Sequence, residues 1–332
     1  MTGAEPLIEL LGLSKRYPLR GARRRSGAAE VRAVEELDLR IGRGETVALV
    51  GESGCGKSTV GRCLLRLVEP SAGQGLYWPA PGADPVDLFQ LGPGRLRALR
   101  RDLQILFQDP ELSLNPRMRV GVGIEEALRV HRRALGGEAA RCSELLGMVG
   151  LEPEVASRYP HQLSGGQLQR VAIARALSVE PKLLVCDEAL SALDVSVRAQ
   201  ILELLARLKR ELGLAYLFLS HDLAVVRHLA DRVAVLYLGR IVEQGPADQI
   251  FRAPQHPYTR ALLSAVPRLD PGARVAAEVL GGEVPSAAAP PSGCAFHPRC
   301  SLAEERCRTQ APQLREAGLG QRAACHLVPP PT

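Results

Sequence analysis

Residues 51–59 read GESGCGKST, and this stretch decides the fold. It fits G-x-x-x-x-G-K-[ST], a loop in which glycines let successive backbone N–H groups turn inward around phosphates. The helix opening at its end adds its N-terminal dipole to the same anion. The flanks agree. Before it, TVALV (Thr46 to Val50) is a short apolar run, the pattern of a buried strand. After it, Val60, Cys63, Leu64 and Leu67 fall at i, i+3, i+4 and i+7, one helical face, and the helix is expected to stop before Pro70. Here Lys57 sets a point charge on the β- and γ-phosphates and the Ser58 hydroxyl ligates Mg²⁺. Gly51, Ser53, Gly54, Gly56 and Thr59 complete the candidate nucleotide loop.

Working outward, two further stretches carry chemistry. KLLVCD reads as a buried strand ending on Asp187, which can hold Mg²⁺, usually through water. Glu188 follows at the carboxyl edge of the strand, where ligands of α/β sheets bind. A carboxylate there can orient and partly deprotonate an attacking water. LSGGQLQRVAIARAL, from Leu163, is a helix start: Ser164 is the N-cap and Gln167 completes a capping box. Gly165 and Gly166 leave that N-terminus open enough to take an anion.

The remaining pattern alternates strands and helices. PLIELLGLSKRY and VRAVEELDLRI read as strands separated by a polar insert bearing Arg20, Arg23, Arg24 and Arg25. Residues 109–159 are mostly helical. SVRAQILELLARLKREL is an amphipathic helix ended at Gly213, AYLFLS is a buried strand, and RVAVLYLGRIVEQG is a hairpin turning at Gly239-Arg240. The order predicts an α/β fold with a mixed, largely parallel sheet covered on both faces. From 267 to Ser292 a Pro-, Ala- and Gly-rich stretch reads as a linker.

Length and composition bound the rest. The 332 residues suit one large domain and a smaller one, and 46% hydrophobic content can bury a sizeable core. No apolar run approaches the ~18 residues needed to span a bilayer, and MTGAEPLIEL has no signal-peptide pattern, so a cytosolic chain is expected unless a partner holds it at a membrane. Apart from Lys15, Lys57, Lys182 and Lys209, every basic residue is arginine, so a lysine inside a motif is no drift. A net charge of +6 admits nucleic acid or anionic lipid as a partner. The arginines are scattered and aromatics are only 4%, which favours a generically basic surface. Cys294, Cys300, Cys307 and Cys325 crowd into the last forty residues as C-x5-C-x6-C-x17-C. Four thiolates suit tetrahedral Zn²⁺ or an iron–sulfur cluster, and the spacing decides neither. His297 and His326 flank them as substitute ligands. Reduced thiols in a loose tail are the remaining alternative.

Taken together, these motifs resemble the ATP-binding-cassette (ABC) ATPases over roughly residues 7 to 265. LSGGQ stands between the phosphate loop and the Asp187-Glu188 pair, as that family's signature does. Gln108 in FQDP resembles the Q-loop, Ser191 to Asp194 (SALD) the D-loop and His221 in FLSHD the H-loop. Tyr17 sits where the family stacks an aromatic ring on adenine, though alone it serves packing equally well. The resemblance implies catalytic roles for Glu188, His221 and Gln108, with Mg²⁺ at Ser58, Gln108 and Asp187. It also implies that Ser164, Gly165, Gly166 and Gln167 contact ATP on an opposite subunit beside the D-loop Asp194.

GESGCGKST, FQDPELSLNPR, SALDVSVRAQI and PQHPYTRALLSAVP look like the ATPase subunits of dipeptide/oligopeptide ABC importers. Two departures are Ala189, where proline is usual, and Glu111-Leu112, in place of an aromatic-small pair where the coupling groove forms. That narrower resemblance implies an ABC ATPase domain at 1–255, its helical subdomain at about 109–178, and a small Cys-rich C-terminal domain at 256–332. It implies ATP and Mg²⁺ as cofactors, with a [4Fe–4S] cluster, or zinc, in the tail. Implied partners are two transmembrane permease subunits, a second ATPase subunit (a paralogue or a second copy) and, indirectly, an extracytoplasmic substrate-binding protein. The implied site of action is the cytoplasmic face of a prokaryotic plasma membrane, with no nucleic acid. The competing reading is a soluble ABC ATPase acting on nucleic acid through a zinc module. A degenerate regulatory cassette is disfavoured, because each catalytic position is present.

Overall fold

The structure, a computed structural model, describes residues 5–19, 30–131, 133–134, 136–265, 281–318 and 320–328. The arginine-rich insert at 20–29 and residues 266–280, which take in the first part of the linker, lie outside the described residues. In chain order the described strands are β1 (Pro6–Pro18), β2 (Glu30–Gly42), β3 (Thr46–Val50), β4 (Ala72–Tyr77), β5 (Val86–Asp87) and β6 (Leu103–Leu106). They continue with β7 (Leu183–Asp187), β8 (Ala215–Ser220), β9 (Arg232–Tyr237), β10 (Arg240–Pro246), β11 (Arg315–Gly318) and β12 (Gln321–Ala323). The chain forms two compact units. One holds Met1–Gly42, Thr46–Gln90 and Leu219–Thr332; the other holds Arg43–Glu45 and Leu91–Phe218.

In the first unit β2, β1, β4 and β5 form an antiparallel sheet in that order. Leu7, Ile8, Leu10 and Leu13 of β1 and Leu37, Leu39 and Ile41 of β2 supply its buried face. A second run of strands pairs β3 with β9 in parallel and β9 with β10 in antiparallel. All five residues of β3 are buried, so the strand carries an unbroken apolar sequence rather than an alternating one. The sheet architecture is therefore mixed. The first two strands leave the parallel layer for an antiparallel sheet whose other members, β4 and β5, are too short and glycine-rich to stand out in the sequence.

The helix after the phosphate loop spans only Lys57–Leu64, about one turn shorter than its apolar spacing suggests. Arg66 turns to φ 48° and breaks the ladder. Its guanidinium grips Glu69 at 2.9 and 3.1 Å and the Leu88 carbonyl at 3.1 Å. Charge-assisted contacts of this kind outweigh one more turn of an exposed helix.

The tail does not stand apart as a small Cys-rich domain; this part of the expectation is not confirmed. Strand β12 pairs with β10, bringing Glu243 opposite Ala323, and β11 pairs with β12. Phe296 packs edge-on against Tyr237 and tilted against Tyr258 and His256, with centroids at 5.3, 5.4 and 5.7 Å. An open sheet edge and a buried aromatic cluster take up the tail, beside a small apolar cluster of its own at Ala323, Cys325 and Val328.

His256 in this cluster gives a pH prediction. It is buried and caps the Pro257–Ser264 helix, its Nδ1 accepting from the Tyr258 N–H at 3.1 Å. Burial, with Arg260 adding to it, pushes its pKa from 6.5 down to about 4. Between those values the unfolded chain binds more protons, so stability is present above pH 6.5 and is lost as pH falls toward 4. From pH 7 to pH 5 this amounts to about 2 kcal/mol. Glu243, buried beside it and raised by burial, contributes with the opposite sign. His256→Asn keeps a capping acceptor without titrating, so denaturant melts should show that variant losing about 2 kcal/mol less than wild type on acidification. Parallel pH profiles would contradict the assignment.

In the second unit β6 and β7 pair in parallel, from Leu103 opposite Leu183 to Leu106 opposite Cys186. Asp102 fixes that register. Its carbonyl accepts from the N–H groups of Lys182 and Leu183 at 2.8 and 3.0 Å, and its carboxylate meets the Lys182 ammonium at 3.1 Å. The helix Val195–Leu212 buries Ile201, Leu204, Leu205 and Leu208 and ends at Gly213, φ 65°, as its sequence pattern predicts.

Candidate functional site

In the first unit the chain leaves buried β3 and wraps into the loop Gly51–Gly56. A Cβ at Gly51 would overlap the Leu236 carbonyl, and one at Gly56, φ 112°, the Ala33 carbonyl. Only glycine fits either place. The Lys57 side chain is buried and folds back across the loop, its ammonium donating to the carbonyls of Gly51 at 2.8 Å and Glu52 at 3.0 Å. The Lys57–Leu64 helix has no side-chain cap, in contrast to the helices capped by Ser164, Asp194, Asp222 and His256. A helix N-terminus without a side-chain cap, its dipole and a buried ammonium together suit an anion. Ser53 and Gly54 are exposed, and Ser58 and Thr59 half-buried at the helix start. Burial raises the Cys55 thiol, which keeps it protonated and unreactive.

Two more predicted residues belong to this unit. Tyr17 lies near the end of β1, half-buried, with the Lys15 ammonium 4.8 Å from its ring centroid. His221 is exposed just after β8, directly before Asp222, which caps the next helix through the N–H groups of Ala224 and Val225.

In the second unit Asp187 is the buried last residue of β7 and Glu188, half-buried, follows it. Glu188 takes φ 48°, an uncommon conformation for a non-glycine residue. Its carbonyl accepts from the N–H of Ser191 at 3.0 Å and the Ser191 hydroxyl at 2.8 Å, which closes the turn. Strain held by a closed turn is found where a side chain must be aimed. The proline that Ala189 replaces is not needed to close it. Gln108 is exposed just past β6, and Asp109 braces the following turn by accepting from the Glu111 N–H at 2.9 Å.

The helix Gly165–Leu177 opens on a reciprocal capping box, Gln167 N–H to Ser164 Oγ at 3.3 Å and Ser164 N–H to Gln167 Oε1 at 3.0 Å. A Cβ on Gly166 would run into Val197 of the Val195–Leu212 helix, so packing fixes that glycine. Gly165 has more room, with Leu193 in ordinary contact range. Asp194 caps the same partner helix through the Val197 N–H at 3.0 Å and takes the Ser196 hydroxyl at 2.7 Å, bonds that hold its carboxyl below the usual range. The signature and D-loop residues of one chain are thus joined by helix packing.

The tail cysteines come together, but not as a formed metal site. Cys294, Cys300, Cys307 and Cys325 border one cavity with His297 and His326, and its volume is ≈ 10 Å³, about the room of one water. Among the described residues, no group of three or more His, Cys, Asp or Glu side chains is arranged to hold a metal ion. Burial pushes the Cys294 thiol up to about 11, with the other three cysteines adding to the rise. The expected [4Fe–4S] cluster, or zinc, is therefore not supported by this geometry. His297 and His326 are engaged elsewhere, their ring nitrogens 2.9 Å from the carbonyls of Cys294 and Gln310.

Among the described residues, no helix is long and apolar enough to cross a membrane. Comparison with known proteins bears on the whole chain. A family model described as ABC transporter matches residues 34–191, and one described as the C-terminal region of oligopeptide/dipeptide transporters matches 242–307. A "Probable peptide ABC transporter ATP-binding protein" of Sinorhizobium fredii is 49% identical, covering 98% of this chain and 91% of that protein. The dipeptide transport ATP-binding protein DppF of Haemophilus influenzae is 48% identical over 97% of each. A solved dimeric ATP-binding cassette, in a post-hydrolysis state bound to ADP and Pi, is 30% identical with a TM-score of 0.62, covering 73% of this chain and 99% of its own. Nothing in these likenesses supports the nucleic-acid alternative. With its phosphate loop, carboxylate pair and LSGGQ helix in the family's order, the chain belongs to the ABC transporter ATP-binding proteins and is an ATPase of that type.

Proposed function

We propose that this chain is the energy-coupling subunit of an importer for di- or oligopeptides, working at the cytoplasmic face of a prokaryotic membrane with two permeases and a second ATPase subunit. The observation that carries the reading is the buried Lys57 ammonium bonded to two carbonyls of the phosphate loop, at the start of a helix with no side-chain cap, in a chain whose relatives over nearly full length are peptide transporter ATP-binding proteins. Lys57 and the loop N–H groups bind the β- and γ-phosphates. Ser58, Asp187 and Gln108 each carry a hard oxygen donor of the kind Mg²⁺ takes, and that ion, when bound, would neutralise phosphate charge. Glu188 takes a proton from the attacking water, His221 positions the γ-phosphate end, and Tyr17 stacks on the base.

The second unit offers a place for a permease. A groove of ≈ 560 Å³ is lined by Phe107, Glu126, Val130, His131 and Arg175, with Phe107 and Val130 exposed at 38% and 53%. An apolar floor with charged rims suits a short amphipathic helix from a membrane partner. Co-purification from native membranes tests the whole reading. Permease subunits are expected; nucleic acid retained with a steep salt dependence would replace it with the competing one.

In the proposed working state Ser164 and Gly166 meet ATP held by the opposite subunit. Dilution should therefore lower specific activity, because monomers hold only half of each site. Activity that stays high in demonstrably monomeric protein would contradict the composite site. The finer reading of the tail, a [4Fe–4S] module, rests on the resemblance of its four cysteines to the tails of peptide-importer ATPases and not on this geometry. Anaerobically purified protein should then be brown with about four irons per chain. Stoichiometric zinc would make it a zinc staple, and metal-free protein with a folded tail would remove both.

A further inference from the structure

The phosphate loop carries a negative charge of its own. Glu52, its second residue, stands in a loop whose chemistry is to attract a triphosphate. Three anchors hold it. Its N–H donates to the Tyr258 hydroxyl at 3.0 Å, its carbonyl accepts from Lys57 at 3.0 Å, and its carboxylate is gripped by the two terminal nitrogens of Arg299 at 2.7 and 3.0 Å. Arg299 lies 247 residues away in the tail, its side chain only 5% exposed, with Nε directed to the Gly281 carbonyl at 3.3 Å. The same short turn, His297–Arg299, lies between Phe296, packed on Tyr237 and Tyr258, and Cys300, which borders the thiol cavity.

A free carboxylate in this loop would oppose a polyanion at close range. A buried guanidinium, which stays charged at any physiological pH, cancels it, and the bidentate fork fixes its direction. We propose that Arg299 is a positioning residue for nucleotide: the tail places a permanent positive charge on Glu52 and so keeps the phosphate loop receptive to a nucleoside triphosphate. The proposal rests on the ATP reading of the loop and deepens it. It makes the tail part of the nucleotide site's electrostatics, so that a displaced tail leaves a loop that binds ATP poorly.

The test is a titration of the full-length chain with a fluorescent ATP analogue and Mg²⁺, alongside a thermal melt without nucleotide. Arg299→Ala should weaken binding about tenfold, and the defect should shrink as salt is raised. Arg299→Lys, a point charge without the fork, should fall between it and wild type. Arg299→Ala combined with Glu52→Gln should return affinity to within about threefold of wild type, because the uncompensated charge is gone. A purely structural staple would not be rescued that way, and a double variant as weak as Arg299→Ala overturns the proposal. So does an Arg299→Ala chain that binds as wild type. Should Arg299→Ala fail to fold, Glu52→Gln alone decides: binding at least as tight as wild type supports the proposal and markedly weaker binding overturns it. A wild-type chain that bound no nucleotide would instead overturn the ATP reading, and this inference with it.

Discussion

Lys57→Ala abolishes ATP binding. The ammonium is buried and shared between two loop carbonyls, so it waits at the phosphate site already stripped of most of its water. A charge held in this way costs the enzyme no rearrangement when the triphosphate arrives, which is why its loss is so damaging. The truncation also removes the strut between Gly51 and Glu52, leaving the glycine turn without its cross-brace. Equilibrium titration with a fluorescent ATP analogue should show at least ~100-fold weaker binding, the scale on which preorganised charge contacts are lost. Affinity within a few-fold of wild type would mean that the loop N–H groups alone hold the phosphates.

Glu188→Gln gives the opposite split. Binding survives, because Glu188 belongs to the carboxyl end of β7 and not to the phosphate loop. Turnover falls by about 10²–10⁴-fold, the usual consequence of losing one general base. The carboxamide keeps the shape, and the two Ser191 bonds that close the strained turn are untouched, since they go to the backbone carbonyl of residue 188. The variant therefore separates proton transfer from folding. Single-turnover hydrolysis in the assembled transporter checks it, and near-normal turnover would assign the base elsewhere.

Much of this was legible in the sequence, for local reasons. The phosphate loop shows itself because glycine is the only residue two of its positions tolerate, and glycines at fixed offsets are visible in one dimension. The capping box at Ser164 and Gln167 is likewise a three-residue interaction, read correctly from spacing. Strands β3 and β7 are short buried runs, apolar except for Thr46 at the start of one and Asp187 at the end of the other, as buried parallel strands require.

What escaped is non-local. The helix at Lys57 ends early because Arg66 finds Glu69 and the Leu88 carbonyl, and the second of these is 22 residues on. The tail reads as a self-contained module because its prolines, glycines and cysteines look unlike a core. Its place is set instead by the open edge of β10 and by Tyr237, against which Phe296 packs, neither of which its own sequence mentions. Arg299 and Glu52 make the same point most plainly. Nothing near either residue announces a partner 247 positions away, and only the fold brings the fork to the carboxylate.

The central claim, that hydrolysis at Lys57 and Glu188 drives import, has a direct measurement. The complex that co-purifies with this chain is reconstituted into vesicles with its binding protein, and accumulation of labelled di- and oligopeptides is followed with ATP supplied on the side that bears this subunit. ATP-dependent accumulation with the wild-type chain, reduced to background when this subunit carries Glu188→Gln, is the predicted result. Accumulation that proceeds equally well with Glu188→Gln, or peptide uptake indifferent to ATP while another solute is carried, would contradict it.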